Sequence, residues 1–131
     1  MRDLGRSVAV VLSISSLVAL AVVMPAWGQG VWTAPQDTKN LKNPVNGFAS
    51  GAKAVAVNCA MCHGASGKGD GPQAGALPAR PADWTSEAVQ KQTDGELFWK
   101  ISNGRGPMPP WKQLSEKERW EVVNYIRTLK R

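Results

Sequence analysis

Two thiols and an imidazole stand within five residues of one another, at Cys59-Ala60-Met61-Cys62-His63. A C-x-x-C pair followed at once by His is the attachment signal for a c-type haem. Each residue has a chemical task in it. The thiols add across the two vinyl groups of the porphyrin, the two intervening residues let one helical turn span them, and His63 offers an imidazole nitrogen to the iron. Other uses of these residues fit less well. A thioredoxin-like redox pair needs a βαβ framework, and no alternating or β-branched run nearby supplies one. A structural zinc site takes about four ligands, whereas the chain holds 2 Cys and 1 His. A bare disulfide leaves His63 without a role.

Haem iron has two axial positions, and His63 is the only histidine, so two-histidine ligation within one molecule is excluded. The remaining strong candidates are thioethers: Met1, Met24, Met61 and Met108. The first two fall in an N-terminal leader. Met61 sits between the attachment points, at the ring edge, and cannot reach the opposite face. That leaves Met108 as the second axial ligand, within Gly104-Arg105-Gly106-Pro107-Met108-Pro109-Pro110-Trp111. The prolines restrict this loop and reduce the entropy lost in holding a sulfur in place. The alternative for a lone Met is a flexible core filler, but this one lacks helical periodicity.

The surrounding elements are those of a small exported helical domain. Arg2 and Arg6 precede an apolar run from about Val8 to Val23, then Pro25 and the small-x-small triplet Ala26-Trp27-Gly28. This is the layout of a secretory signal peptide over 1–28. The alternative is an uncleaved anchor, although the run is short of the about 20 apolar residues a spanning helix needs and contains Ser13, Ser15 and Ser16. Residues 29–48 read as an extended arm, attached through Trp32 and Phe48, or as a disordered linker. The domain proper is 49–131. Ser50 is the expected N-cap of a helix running into the cysteines. Residues 64–81 form a Gly/Pro-rich loop that lacks the Gly-Lys-Ser/Thr ending of a phosphate cradle and can let backbone approach a flat ring. A short helix is expected over Ser86 to Lys91. Thr93-Asp94-Gly95-Glu96 and Ser115-Glu116-Lys117-Glu118 are capping boxes, each opening a further helix, the first of which closes at Gly104. In the last helix Val122, Tyr125, Ile126 and Leu129 follow the i, i+3, i+4, i+7 pattern, with Glu121, Asn124 and Arg127 expected to face outward. No strand signal is present, and the expected fold is all-α.

Taken with these motifs, the stretch from about 48 to 131 resembles a bacterial class I monohaem cytochrome c. Gly67-Lys68-Gly69-Asp70-Gly71-Pro72 and Asp94-Gly95-Glu96-Leu97-Phe98-Trp99 resemble small periplasmic domains allied to the c-type subunits of respiratory oxidases. The resemblance implies about four helices around one covalently attached haem. It implies that Gly51 and Tyr125 lie where the first and last helices cross. It also implies that the carbonyl of Pro72, nine residues after His63, accepts a hydrogen bond from the ligand imidazole, a contact that fixes the ring and raises its basicity. Val55 departs from the pattern, standing where the family has Phe or Tyr; Trp120 could back the contact.

His/Met ligation fills both axial positions, and the thioether favours ferrous iron and raises the potential. The expected function is electron transfer between redox partners, as a carrier or as the electron-transfer subunit of a larger complex. Displacement of Met108 would instead permit a peroxidase-like enzyme or a ligand-sensing module. Trp84, Trp99 and Trp111 are candidates for packing on the haem or donating to a propionate, with Arg80 and Arg105 as charge partners. The formal net charge is +6; without the leader, 14 basic residues stand against 9 acidic ones, and haem propionates lower the balance further. A basic surface suits an acidic protein partner or an anionic membrane surface, though the charges are scattered. Export to the periplasm makes nucleic acid an unsuitable partner. Membrane association would come only through a partner or an uncleaved leader.

Overall fold

In the computed structural model, which describes residues 31–131, five α-helices follow one another: α1 (Ala49–Asn58), α2 (Ala60–His63), α3 (Glu87–Gln90), α4 (Asp94–Asn103) and α5 (Glu116–Thr128). Short 3-10 turns lie at Gln36–Asn40 and Ala74–Ala76. Extended pairing among the described residues is confined to one antiparallel bridge, Arg105 with Met108. The leader expected at 1–28, with Met1 and Met24, lies outside the described residues.

The two capping boxes open α4 and α5. Thr93 accepts from the Glu96 N–H while the Glu96 carboxylate takes the Thr93 N–H, and Ser115 and Glu118 repeat the exchange. Two of the otherwise orphaned donors at each helix start are thereby satisfied. Helix α4 stops at Gly104, whose φ of +63° suits glycine and whose N–H returns to the Lys100 carbonyl. The short helix α3 starts after Ser86, within the expected span.

Helix α1 is capped differently from the sequence expectation. Its N-cap position is Phe48, which offers no side-chain acceptor, and Ser50 lies inside the helix. The acceptor comes from α5: Glu121 Oε2 receives the N–H groups of Ser50 at 2.7 Å and Gly51 at 3.1 Å. A carboxylate at a helix N-terminus meets both the free N–H groups and the positive end of the dipole. Lys117 also donates to Glu121, and chiefly that bond, helped by the two backbone N–H groups, holds the carboxyl below the usual range against desolvation.

This corrects the expectation that Glu121, Asn124 and Arg127 face solvent. Glu121 is 4% exposed. The Asn124 amide donates to the carbonyls of Val45 and Gly47 and accepts from Asn43. Arg127 reaches Asp94 and the carbonyls of Gln90 and Gln92. The polar side of α5 is where the arm and α3–α4 dock, because those segments bring backbone groups that need partners.

The arm is tied down along its length. Ala34 and Thr38 are buried, Trp32 lies under the Lys100 ammonium at 5.4 Å, and the Phe48 ring meets Tyr125 at 6.3 Å. Gly95 lets α4 lie against the Thr38 carbonyl, which a Cβ there would strike.

At the crossing of α1 and α5, a Cβ on Gly51 would stand 2.5 Å from the Val122 nitrogen and closer still to the Glu121 backbone. Glycine sets that approach. Val55 fills the contact below it, buried with Val122, Val123 and Ile126. Trp120 is buried in the same core cluster as Val55. It stacks on Phe98 of α4, centroids 3.9 Å apart and rings within 11°.

Candidate functional site

The cysteines and the histidine are set by the junction of α1 and α2. The Cys59 N–H continues α1 by bonding to the Val55 carbonyl at 2.9 Å, and the Cys59 carbonyl accepts from Cys62 at 3.1 Å and His63 at 2.8 Å. One turn therefore carries both thiols at i and i+3, a spacing that puts side chains on the same side of a helix. Both thiols are free and half-buried. Burial first, and then the neighbouring Cys62, push the Cys59 thiol up to about 11, so it stands protonated at neutral pH. Gly64 ends the turn at φ +78°.

The next segment folds back beneath the turn. Gly69 N–H bonds to the His63 carbonyl at 2.8 Å, Gly71 to Cys62 at 3.1 Å and Gln73 to Met61 at 2.8 Å. A Cβ on Gly71 would stand 2.5 Å from the Ala60 carbonyl oxygen, so the loop's glycines serve approach to the protein's own backbone.

His63 is held by the segment 81–84. Its Nδ1 lies 3.2 Å from the Ala82 carbonyl, and its ring stacks on Trp84 with centroids 4.3 Å apart and an interplanar angle of 21°. This replaces the expectation for Pro72. Pro72 is exposed, in a turn whose flanking N–H groups are spent on α2's last carbonyls, while the Trp84 N–H, bonded to Gly67 at 2.7 Å, draws 81–84 over the imidazole. A carbonyl only accepts, so Nδ1 carries the ring proton and Nε2 keeps its lone pair. Burial lowers the imidazole's proton affinity, partly opposed by the Ala82 bond, which favours the neutral, ligating form.

Met108 sits at the end of a tight turn. Arg105 N–H donates to the Met108 carbonyl at 2.9 Å, and Met108 N–H returns to the Arg105 carbonyl at 3.1 Å. Gly104 permits the closure, since a Cβ there would lie 2.6 Å from Pro109. Trp111 N–H then bonds to Ile101 of α4 at 3.0 Å. Met108 and Cys59, both half-buried, pack against the same core cluster. Met61, by contrast, is 46% exposed.

Of the tryptophans, Trp84 is buried beside His63, Trp111 packs on the core, and Trp99 is half-buried. Arg80 reaches the Lys68 carbonyl at 3.5 Å. Ala82 and Gln90, which bonds to the carbonyls of Trp84 and Ile126, had no sequence signal: one acts through its backbone, and the other is an ordinary glutamine.

These donors fit a haem better than a bare ion. Among the described residues no group of three or more His, Cys, Asp or Glu could enclose a metal, whereas a porphyrin brings its own nitrogens and asks the protein for two thiols and two axial donors.

The model of the family described as cytochrome c oxidase, cbb3-type, subunit III matches residues 46–126. Chloroplastic cytochrome c6 of Chlamydomonas reinhardtii is 31% identical over 85 residues, covering 60% of this chain and 52% of that protein. Cytochrome c6 of Cladophora glomerata is 32% identical over 87 residues, covering 60% of this chain and 85% of its own length. A solved structure, the Kuenenia stuttgartiensis reducing HAO-like protein complex Kustc0457/Kustc0458, superimposes with a TM-score of 0.60 at 28% identity, over 70% of this chain and 47% of that one. The chain thus spans about half the length of the Chlamydomonas protein and of the Kuenenia chain. The helical order around Cys59–His63 is the small class I cytochrome c fold of the cytochrome c6 relatives.

Proposed function

The chain belongs to the family described as cytochrome c oxidase, cbb3-type, subunit III, whose cofactor is covalently attached haem c with its iron, and on that premise we propose that it is an exported single-haem electron carrier with His63 and Met108 as axial ligands. The observation that carries this reading is the single helical turn holding two free thiols and a neutral imidazole whose Nε2 is left available.

Cys59 and Cys62 would hold the haem through its two vinyl groups, and the backbone bonds from Cys62 and His63 to the Cys59 carbonyl keep the three side chains in register. His63 gives Nε2, its ring proton held on Nδ1 by Ala82. The ring's donation is strengthened by that bond, as such partners do for metal-bound imidazoles. Met108 gives a thioether from a turn closed by two backbone hydrogen bonds and flanked by prolines, so little has to move when the redox state changes. The bound haem supplies a one-electron iron couple, and a Met ligand favours its reduced state. With His63 and Met108 both holding the iron, these residues would leave no place for a substrate there.

The basic start, short apolar run and Ala26-Trp27-Gly28 triplet support export to the periplasm, and the excess of basic residues suits a redox partner with an acidic docking surface, whether the chain travels alone or sits in a complex. No helix among the described residues is long and apolar enough to cross a membrane.

The test is covalency. Haem should stay with the polypeptide through denaturing gel electrophoresis and acid-acetone extraction, and should be lost from the gel band in a Cys59→Ala, Cys62→Ala double variant. Haem that washes out of the unaltered protein would refute the assignment.

A further inference from the structure

We propose that Trp84, locked in place by Gln90, is the positioning residue that sets the plane of the His63 imidazole and thereby tunes the iron; this rests on His63 being an axial ligand. A single hydrogen bond from Nδ1 to Ala82 fixes one direction in the ring but leaves the ring free to turn about that line. Removing the second freedom needs a flat surface against the imidazole face. Trp84 provides it, stacked at 4.3 Å and 21° and itself 7% exposed.

A stack orients its partner only if it cannot move, and Trp84 is held at several points. Its N–H is bonded to Gly67 at 2.7 Å. Its carbonyl accepts from Gln90 Nε2 at 2.7 Å, and the same amide group donates to the Ile126 carbonyl of α5 at 2.9 Å. A Cβ on Gly67 would meet the Trp84 side chain at 2.8 Å, so glycine there lets the indole seat fully. Gln90 Oε1 is buried with no partner. Burying an unpaired amide oxygen is unfavourable, and its side chain is kept for the two donors it places. The result is a chain of contacts from α5 through Gln90 and Trp84 to His63.

The plane of an axial imidazole decides which iron dπ orbital its π electrons raise. Turning the ring redistributes unpaired spin over the ferric porphyrin. The paramagnetically shifted haem-methyl resonances and the low-spin ferric g values therefore read the ring orientation directly, and a merely structural tryptophan would not move them.

Three variants of the holoprotein test this: Trp84→Leu, Trp84→Phe and Gln90→Leu, each compared with His63→Gly. Trp84→Leu should keep its haem and its Fe–S(Met) absorption band while the haem-methyl pattern and largest g value shift. Trp84→Phe should restore a pattern near that of the unaltered protein. Gln90→Leu should shift it in the same sense as Trp84→Leu and by less. Unchanged methyl shifts and g values in Trp84→Leu, with His63→Gly losing the low-spin spectrum, would overturn the positioning role and leave the ligand assignment standing. A low-spin spectrum unaltered in His63→Gly would overturn both. Should Trp84→Leu fail to fold, an unshifted pattern in Gln90→Leu overturns the proposal by itself.

Discussion

The Nδ1 of His63 faces the Ala82 carbonyl, and that leaves the other ring nitrogen with its lone pair for the proposed bond to iron. No comparable constraint exists on Met61, which is exposed at the edge of its helical turn, whereas Met108 is half-buried against the core and tied by the Arg105 bridge. Changing Met108 to Ala should therefore leave haem attached and abolish the ferric Fe–S band. It should lower the potential by on the order of a tenth of a volt or more, within the roughly 0.8 V that axial ligation spans. Met61→Ala should leave band and potential unchanged; optical titration of the pair reads both. The thiols, His63 and Met108 could be proposed from the sequence because each is a scarce side chain with a fixed chemical use. Ala82 could not, since every residue has a carbonyl and only the path of 81–84 over the imidazole selects this one. The Pro72 expectation failed for the same reason: nine residues of separation say nothing about which way a glycine-rich loop folds back.

At the scale of elements, the site depends on α1 meeting α5 closely enough for the turn at Cys59 to be fixed from behind. Gly51→Ala would force its Cβ into the Glu121 backbone. Overpacking of this kind costs about 1–3 kcal/mol or more, and each kcal/mol lowers the melting temperature of a domain this size by about 4–8 °C; thermal unfolding followed by circular dichroism measures the drop. Glu121 links the same two helices through charge. Its carboxyl is held below the ordinary range, chiefly by Lys117 and also by the α1 N–H groups. A depressed folded-state value means stability that is present above the ordinary carboxylate pKa, about 4.3 for Glu, and is lost as pH falls through the folded value. Glu121→Gln should flatten the acid side of a melting-temperature profile against pH, while an unaltered profile would show that the carboxylate contributes nothing. The capping boxes of α4 and α5 could be read from sequence because donor and acceptor lie three residues apart. The cap of α1 could not, because its acceptor arrives from 71 residues away. Read by periodicity alone, Glu121, Asn124 and Arg127 look solvent-facing, yet tertiary docking of the arm and of α3–α4 gives them partners.

At the scale of the domain, the about 100 described residues make a small core, and domains of that size bury a modest share of their surface. A large apolar ring attached at Cys59 and Cys62 would give that core more to close on, so the iron's protein ligation and the fold should be lost together on heating while the haem itself stays on the chain. The positive balance of charge would act at longer range, steering encounters with any acidic redox partner within a Debye length of about 8–10 Å at moderate salt, and is separate from what the iron can do. Whether the molecule passes electrons or reacts with a ligand is decided by occupancy of the second axial position. The most direct measurement is an anaerobic optical redox titration of the purified holoprotein, with carbon monoxide added to the reduced form. A carrier built on His63 and Met108 gives one reversible one-electron transition, an Fe–S band in the ferric state, and no rapid carbon monoxide adduct. A ferric spectrum lacking that band, with prompt carbon monoxide binding on reduction, would mean an open iron, and the protein would be an enzyme or a sensor.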